Sequence, residues 1–126
     1  VERVAMEYVM AYEKAQGRNP ADVSKENLGY DIRSDAPDGT VRYIEVKGRG
    51  PEGDISITKN ERFQALKLGQ EYWLYIVTDA IKNPTIHMIA DPAHSLEMQE
   101  VYVVERYRVP RVVWKEVAKG VEEFKT

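Results

Sequence analysis

The N-terminal segment carries its apolar residues at the i, i+3, i+4 spacing of one helix face. These residues are Val1, Val4, Ala5, Tyr8, Val9 and Tyr12. The pattern predicts a helix that ends near Gly17, because the stretch Gly17-Arg18-Asn19-Pro20 contains two helix breakers. The polar residues that follow, up to Asn27, are typical of a loop.

Two runs with strand-like alternation follow this loop, at Gly29–Ser34 and Val41–Gly48. The residues between them, 35–40, include Pro37 and an Asp-Gly pair, which are strong turn signals. The pattern therefore predicts a β-hairpin. A third strand is predicted at Asp54–Ile57, after a glycine-rich loop.

A second helix is predicted to begin at Thr58, because Thr58 and Glu61 form the capping-box pattern in which each side chain satisfies a free backbone N–H. We expect this helix to turn Phe63, Ala65 and Leu66 inward and to end near Gly69, a natural C-terminal cap.

The second half of the chain contains three further apolar runs that predict strands, at 72–78, 84–89 and 101–109. Apolar positions from Arg111 to Phe124 predict a closing helix. Strands interleaved with helices in this order indicate an α/β fold, with a mixed β-sheet flanked by helices.

Composition limits the class of protein. The 126 residues suit one domain over 1–126, and 43% hydrophobic with 31% charged residues is ordinary for a soluble globular chain. No apolar run reaches the roughly 20 residues needed to span a bilayer, so a cytoplasmic location without a membrane partner is expected. The absence of Cys excludes disulfides and thiolate metal sites. A start at Val1, within a helical pattern, suggests a domain excised from a longer protein.

A net charge of -3 argues against strong nonspecific binding to a polyanion, because phosphate affinity comes mainly from Lys and Arg. Lys47, Arg49, Lys59 and Arg62 are nevertheless close in sequence. These four residues form a local basic rim for nucleic acid, or they are solvated surface charges.

The hairpin brings candidate catalytic residues together. Alternation places Tyr43, Glu45 and Lys47 on one face of the second strand. If the hairpin closes with Asp35 opposite Val41, Asp31 falls directly across from Glu45, with Cβ atoms about 5 Å apart. Two carboxylates this close repel each other unless a cation such as Mg²⁺ lies between them.

Such an arrangement suits phosphodiester hydrolysis, in which a metal generates a nucleophile from water and compensates charge. Lys47 is placed to orient the attacking water or to neutralise the phosphate. The alternative is that Glu45 and Lys47 simply form an ion pair on a solvated sheet face. An isolated E-x-K motif has almost no specificity for nucleases, so it does not by itself exclude this alternative.

The order of these motifs resembles the PD-(D/E)XK nuclease superfamily, whose restriction-endonuclease-like core runs α-β-β-β-α-β. A wider set of motifs comprises Tyr12-Glu13, Gly17-Arg18, Asp22-Val23-Ser24, Gly29-Tyr30-Asp31-Ile32, Ile44-Glu45-Val46-Lys47-Gly48-Arg49 and Thr58-x-Asn60-Glu61. With these motifs the chain resembles more closely the helicase-associated domain at the C-terminus of NO VEIN-type proteins.

The resemblance implies a Mg²⁺- or Mn²⁺-dependent endonuclease that acts on nucleic acid, with DNA as the expected substrate. It also implies that the domain works beside a helicase or translocase module in the same or a neighbouring chain. Asp31 and Glu45 would bind the metal with the carbonyl of Val46, and Lys47 would be the catalytic lysine. The sequence departs from the superfamily at Tyr30, where the motif has Pro.

Two positions are implied as accessory. The superfamily's glutamate on the first helix corresponds to Glu13 or Glu2, of which Glu13 lies in the matched stretch. Asn60 is not needed by the capping box and can contact a phosphate or a metal-bound water. The rival functions are a module of the same fold that binds nucleic acid or a protein without cleaving, and a purely structural interaction domain.

Overall fold

The computed structural model describes residues 2–124, so Val1 of the first predicted helix lies outside the described residues. Its helices and strands are α1 (Glu2–Ala15), β1 (Asn19–Asp22), β2 (Ile32–Asp35), β3 (Val41–Arg49), α2 (Lys59–Leu68), β4 (Tyr72–Thr78), β5 (Thr85–Ala90), α3 (Pro92–Ser95) and α4 (Arg111–Val117). No helix in residues 2–124 is long and apolar enough to cross a membrane.

The five strands form one mixed sheet in the order β1-β2-β3-β4-β5. β3 and β4 pair in parallel through the crossover that contains α2, and all the other neighbours are antiparallel. The predicted α/β class, with a mixed sheet flanked by helices, is confirmed.

The predicted hairpin register is confirmed. Asp35 pairs with Val41 and Ile32 pairs with Ile44. Asp31 lies one residue before β2, and its backbone N–H donates to the carbonyl of Ile44 at 2.8 Å. This hydrogen bond is offset by one residue from the ladder, in which Asp31 would pair with Glu45, so the regular register ends at Ile32 and Asp31 lies in a bend just before β2.

One face of the sheet packs against α1. Ala5 and Val9 of α1 belong to a buried cluster with Ile44 and Val46 of β3 and Tyr75 of β4. The i, i+4 spacing of Ala5 and Val9 matches the apolar stripe of the sequence. Burial of these alternate β3 side chains leaves the intervening residues, including Glu45 and Lys47, to the opposite face.

The opposite face meets α2, which begins with the predicted capping box. The Thr58 hydroxyl accepts the Glu61 N–H at 3.1 Å, and the Glu61 carboxylate accepts the Thr58 N–H at 2.9 Å. Ala65 is buried as expected, whereas Phe63 is 61% exposed and Leu66 41% exposed. The inward prediction for Phe63 and Leu66 was wrong, because α2 turns only a narrow stripe toward the sheet.

Four predicted elements differ from the structure. β1 lies within the predicted loop, since an edge strand can form through backbone hydrogen bonds without an apolar pattern. Residues 54–57 form no strand, and residues 101–109 form none either. The closing helix is confined to α4, whose residues are all exposed.

Gly29 offers a test of how the Asp31 segment meets α2. Gly29 and Gly39 both have positive φ angles, of +86° and +90°. A Cβ on Gly29 would lie 2.5 Å from Cγ of Gln64 and 3.1 Å from the Asn60 carbonyl oxygen, whereas a Cβ on Gly39 meets nothing within 4 Å.

We expect Gly39→Ala to destabilise the fold by about 1–2 kcal/mol, the cost of a left-handed conformation for a residue with a Cβ. Gly29→Ala should cost about 1–3 kcal/mol more, because overpacking against α2 is added. Urea unfolding of both variants measures the difference. Equal losses would show that α2 moves aside freely at Gly29.

Candidate functional site

The polar face of the hairpin gathers Asp31, Glu45 and Lys47, and α2 adds Glu61; we call these four residues the carboxylate–lysine cluster. Asp31 is fixed through its side chain, because its Oδ2 accepts the backbone N–H of Val46 at 2.9 Å. The sequence predicted the first three members on one face, and the structure brings them together.

Glu45 is the most perturbed acid of the cluster. Its side chain is nearly buried, at 6% exposure. Burial, followed by the nearby charges of Asp31 and Glu61, raises the pKa of Glu45 to about 9. Burial also raises the pKa of Asp31, although the Val46 N–H and a hydrogen bond with Glu45 act against it. The two carboxyl groups therefore share a site that disfavours two negative charges.

Lys47 lies between two acids. Its Nζ is 2.9 Å from Glu61 Oε1 and 3.3 Å from Glu45 Oε2. Burial alone would lower the pKa of Lys47, but the hydrogen bond to Glu61 and the charge of Glu45 raise it above its usual value. The ammonium group is therefore held charged and oriented on the sheet face.

Glu61 is the member of the cluster that sequence reasoning assigned to capping alone. The same Oε1 atom accepts the Thr58 N–H and the Lys47 ammonium. Burial tends to raise the pKa of Glu61, yet these two hydrogen bonds hold it below its ordinary value. The sequence did contain a signal for Glu61, because it belongs to the motif Thr58-x-Asn60-Glu61, in which Asn60 was predicted as an accessory site residue.

A small pocket of about 180 Å³ opens beside the cluster. It is lined by Ser24, Asn27, Leu28, Gly29, Tyr30, Asp31, Glu45, Thr58, Asn60 and Glu61. Asn60, predicted as accessory, lies on this pocket together with both hairpin acids. The pocket gives a small ligand access to the otherwise buried carboxyl groups.

A larger cavity of about 630 Å³ lies elsewhere, where the loops after β3 and β4 meet. It is bordered by Gly50, Thr78, Lys82 and neighbouring residues and contains none of the cluster. Carboxyl ends of parallel strands do bind ligands in many α/β folds. We place the candidate functional site at the smaller pocket, because Asp31, Glu45 and Glu61 line it and Lys47 pairs with two of these acids.

The predicted basic rim is divided. Lys59 and Arg62 are exposed and lie three residues apart on α2, so they share one side of the helix. Arg49 ends β3 on the same face as Lys47, and its guanidinium leaves no room for a Cβ on Gly53, which would lie 2.6 Å from Nη2. Arg49 is thus partly enclosed, and Lys59 and Arg62 are open to a ligand.

Glu13 is not brought to the cluster. It is buried on the α1 side of the sheet, where Arg18 donates two hydrogen bonds to its carboxylate at 2.5 and 2.8 Å. The Tyr75 hydroxyl donates a third at 2.9 Å. Because the carboxylate is fully paired on the opposite face, Glu13 acts in the structure as an internal anchor. Glu2, the alternative, is exposed in the first turn of α1.

The aromatic residues of β4 belong to the core. Tyr72 is 2% exposed and Tyr75 is fully buried, so neither is available to stack on a base. The Tyr72 hydroxyl donates to the carbonyl of Gly29 at 2.8 Å, which ties β4 to the segment before Asp31. Trp73 packs beneath the guanidinium of Arg42, 3.8 Å from the ring centre.

The donor chemistry of the site suits a hard cation only in part. Within residues 2–124, no three His, Cys, Asp or Glu side chains are arranged as a metal-binding group. Two adjacent carboxyl groups remain, and Mg²⁺ is commonly bound by one or two carboxylates while it keeps several waters. A bound cation would relieve the repulsion between the charges of Asp31 and Glu45, which contributes to the raised pKa of Glu45.

The fold and the carboxylate–lysine cluster define a small α/β domain with a polar site on one sheet face. A family model described as "Protein NO VEIN, C-terminal" matches residues 1–89, and the chain belongs to this family. The match includes every residue of the cluster. Searches of curated proteins and of solved structures give no match.

The buried acid pair has a consequence for stability. Because the pKa of Glu45 rises from 4.5 to about 9 on folding, the folded state holds this proton more tightly than the unfolded chain does. The stability contributed by the protonated form is present below pH 4.5 and is lost as the pH approaches 9.

Glu45→Gln should therefore raise the melting temperature at pH 8 in EDTA, by about 4 °C for each kcal/mol gained. The gain should shrink at pH 5. Differential scanning calorimetry measures the effect, with Glu52→Gln as the control because Glu52 is exposed. A lower melting temperature for Glu45→Gln at pH 8 would contradict the inferred charge strain.

Proposed function

We propose that this domain is a Mg²⁺- or Mn²⁺-dependent nuclease of the PD-(D/E)XK type that hydrolyses phosphodiester bonds in nucleic acid, with DNA as the substrate. The observation that carries the proposal is the convergence of Asp31, Glu45 and Lys47 beside one open pocket. An acid pair and a lysine on one rigid sheet face are the groups that such hydrolysis needs.

Asp31 and Glu45 would hold the metal, with the carbonyl of Val46 as the proposed third ligand. When bound, the metal would supply a nucleophilic water at neutral pH and neutralise charge on the phosphate. The backbone N–H of Val46 keeps the Asp31 carboxylate oriented toward the pocket side of the hairpin. Both acids are therefore preorganised by β3 and need no large movement.

Lys47 would orient the attacking water or stabilise negative charge on the phosphate. Its ammonium is held by Glu61 at 2.9 Å, on the side of α2. Because of this hydrogen bond, the position of Lys47 is fixed by Glu61 as well as by Glu45. Glu61 is thus a positioning residue for Lys47, while Asn60 is placed to contact the ligand in the pocket.

Substrate binding would rely on the exposed pair Lys59 and Arg62 at the start of α2, with Arg49 nearby at the end of β3. The net charge of -3 implies weak binding by the isolated domain. We therefore propose that a helicase or translocase module, in the same or a neighbouring chain, delivers the nucleic acid.

The rival is a module of this fold that binds nucleic acid or a protein without cleaving it. The ion pairs of Lys47 favour the rival, because an ammonium group already compensates part of the acidic charge. The absence of a three-acid metal group within residues 2–124 points the same way. Metal binding and cleavage separate the two functions.

The first test is metal binding. We expect Mg²⁺ or Mn²⁺ to raise the melting temperature, since a ligand that binds only the folded state stabilises it; at 100 times its Kd the gain is about 2.7 kcal/mol. Asp31→Asn should largely abolish the shift, and Asp54→Asn, at an exposed position, should retain it. Calorimetry that detects no binding up to millimolar metal, with nucleic acid present, would favour the rival.

The second test concerns Lys47, which is not expected to bind the metal. Lys47→Ala should retain metal binding and reduce the cleavage rate by about 100- to 1000-fold, the usual loss for one electrostatic stabiliser. Cleavage is measured in Mg²⁺ on single- and double-stranded DNA and RNA. Equilibrium binding is measured in Ca²⁺ to suppress turnover.

Lys14→Ala is the matched control, because Lys14 is exposed near the end of α1. If Lys47 only contacts a ground-state phosphate, its substitution should instead weaken affinity and reduce the salt dependence by about one counterion. A Lys47→Ala variant that cleaves as fast as the wild type would remove Lys47 from the mechanism.

A further inference from the structure

The C-terminal quarter of the chain exposes an unusual amount of apolar surface. Of the nineteen large hydrophobic side chains exposed in the described residues, twelve lie between residues 101 and 124. Val101, Tyr102, Val103 and Tyr107 are each more than 80% exposed. From residue 99 to residue 124 every position is exposed.

The total surface area shows that this exposure is large enough to matter. A folded monomer of 14.5 kDa is expected to expose about 6,900 Å². The chain exposes 9886 Å². The excess of about 3,000 Å² is well above the roughly 800 Å² that each partner buries in a standard stable interface.

The same chain contains a surface that fits this segment. β1 and β5 are the two edges of the sheet. β1 is protected by Pro20 and Asp22, which are common devices against edge pairing. β5 has the sequence Thr-Ile-His-Met-Ile-Ala, with no proline and no Lys, Arg, Asp or Glu, and exposes Met88 at 41%. Its outer edge is therefore open to another strand.

Residues 101–109, which we call the arm, have the composition of such a strand. Six of their nine residues are Val or Tyr, at 101–104, 107 and 109, and these residue types favour extended structure. Nine extended residues span about 30 Å, enough to cover the six residues of β5. In the structure the arm forms no strand and stays exposed, so the β5 edge of its own chain is left uncovered.

We propose that two copies of this chain exchange their arms, so that residues 101–109 of each copy add a strand to the outer edge of β5 of the other. A second copy is the fitting occupant because the edge and the arm are on one chain. In one twofold arrangement each copy gives one arm and receives one arm on its β5 edge, so the exchange is complete with two copies. This inference is independent of the nuclease proposal.

The test is the oligomeric state of the full chain. Light scattering coupled to gel filtration at about 100 µM should give twice the 14.5 kDa chain mass. Val103→Pro should give the monomer mass, because proline removes a ladder donor and disfavours strand pairing. Lys119→Pro, also exposed but outside the arm, should remain dimeric. Circular dichroism and melting temperature confirm that both variants are folded.

Hydrogen exchange locates the contact. Amides of residues 85–90 and 101–109 should both exchange slowly in the wild type and both become faster in Val103→Pro. A monomeric wild type, or a dimer that survives Val103→Pro, would overturn the proposal. Slow exchange in the arm with no change in β5 on dissociation would also overturn it, because the arm would then pair with a different surface.

Discussion

The alternation of side chains along β3 is the constraint on which the rest of the structure depends. This nine-residue strand pairs with β2 on one side and β4 on the other, packs against α1 on one face, and contacts Glu61 of α2 through Lys47 on the other face. Ile44 and Val46 must therefore enter the core beneath α1, and Glu45 and Lys47 must enter the polar cluster beneath α2. A shift of one residue in the register would exchange the two sets and expose the core to charges. The hydrophobic packing on one face thus fixes the geometry of the site on the other.

The resulting site is electrostatically unfavourable, because it places two carboxyl groups close together in a buried position. Burial of Glu45 beside Asp31 raises the pKa of both carboxyl groups, and Lys47 compensates only part of the charge. A fold selected for stability alone would replace such a pair with apolar residues, because burying unneeded charge is costly. Glu13 shows the alternative treatment of a buried acid, since Arg18 and Tyr75 satisfy its carboxylate completely. The contrast shows that the charges of Glu45 and Asp31 are less fully compensated than that of Glu13.

Local rules predicted well where side-chain pattern and structure coincide. The hairpin register followed from the turn at 35–40, and the start of α2 followed from the capping box at Thr58. Prediction failed where backbone or tertiary contacts decide. β1 is held by its ladder with β2, which leaves no apolar signature, and residues 54–57 have strand-like alternation but no partner. Glu13 was misplaced because helix periodicity does not tell which face of a sheet the helix covers.

The shared carboxylate oxygen of Glu61 links the folding of the first turn of α2 to the position of Lys47 in the site. One atom holds both the first turn of α2, through the Thr58 N–H, and the Lys47 ammonium. Fraying of that turn would therefore remove one of the two acids that hold Lys47 and leave its contact with Glu45. A negatively charged group that draws Lys47 away from Glu61 would loosen the turn in return. Local unfolding and charge placement are coupled here over a single hydrogen-bond acceptor. A molecule that binds the exposed side of α2 and changes the stability of its first turn would therefore change the position of Lys47 without contacting Asp31 or Glu45.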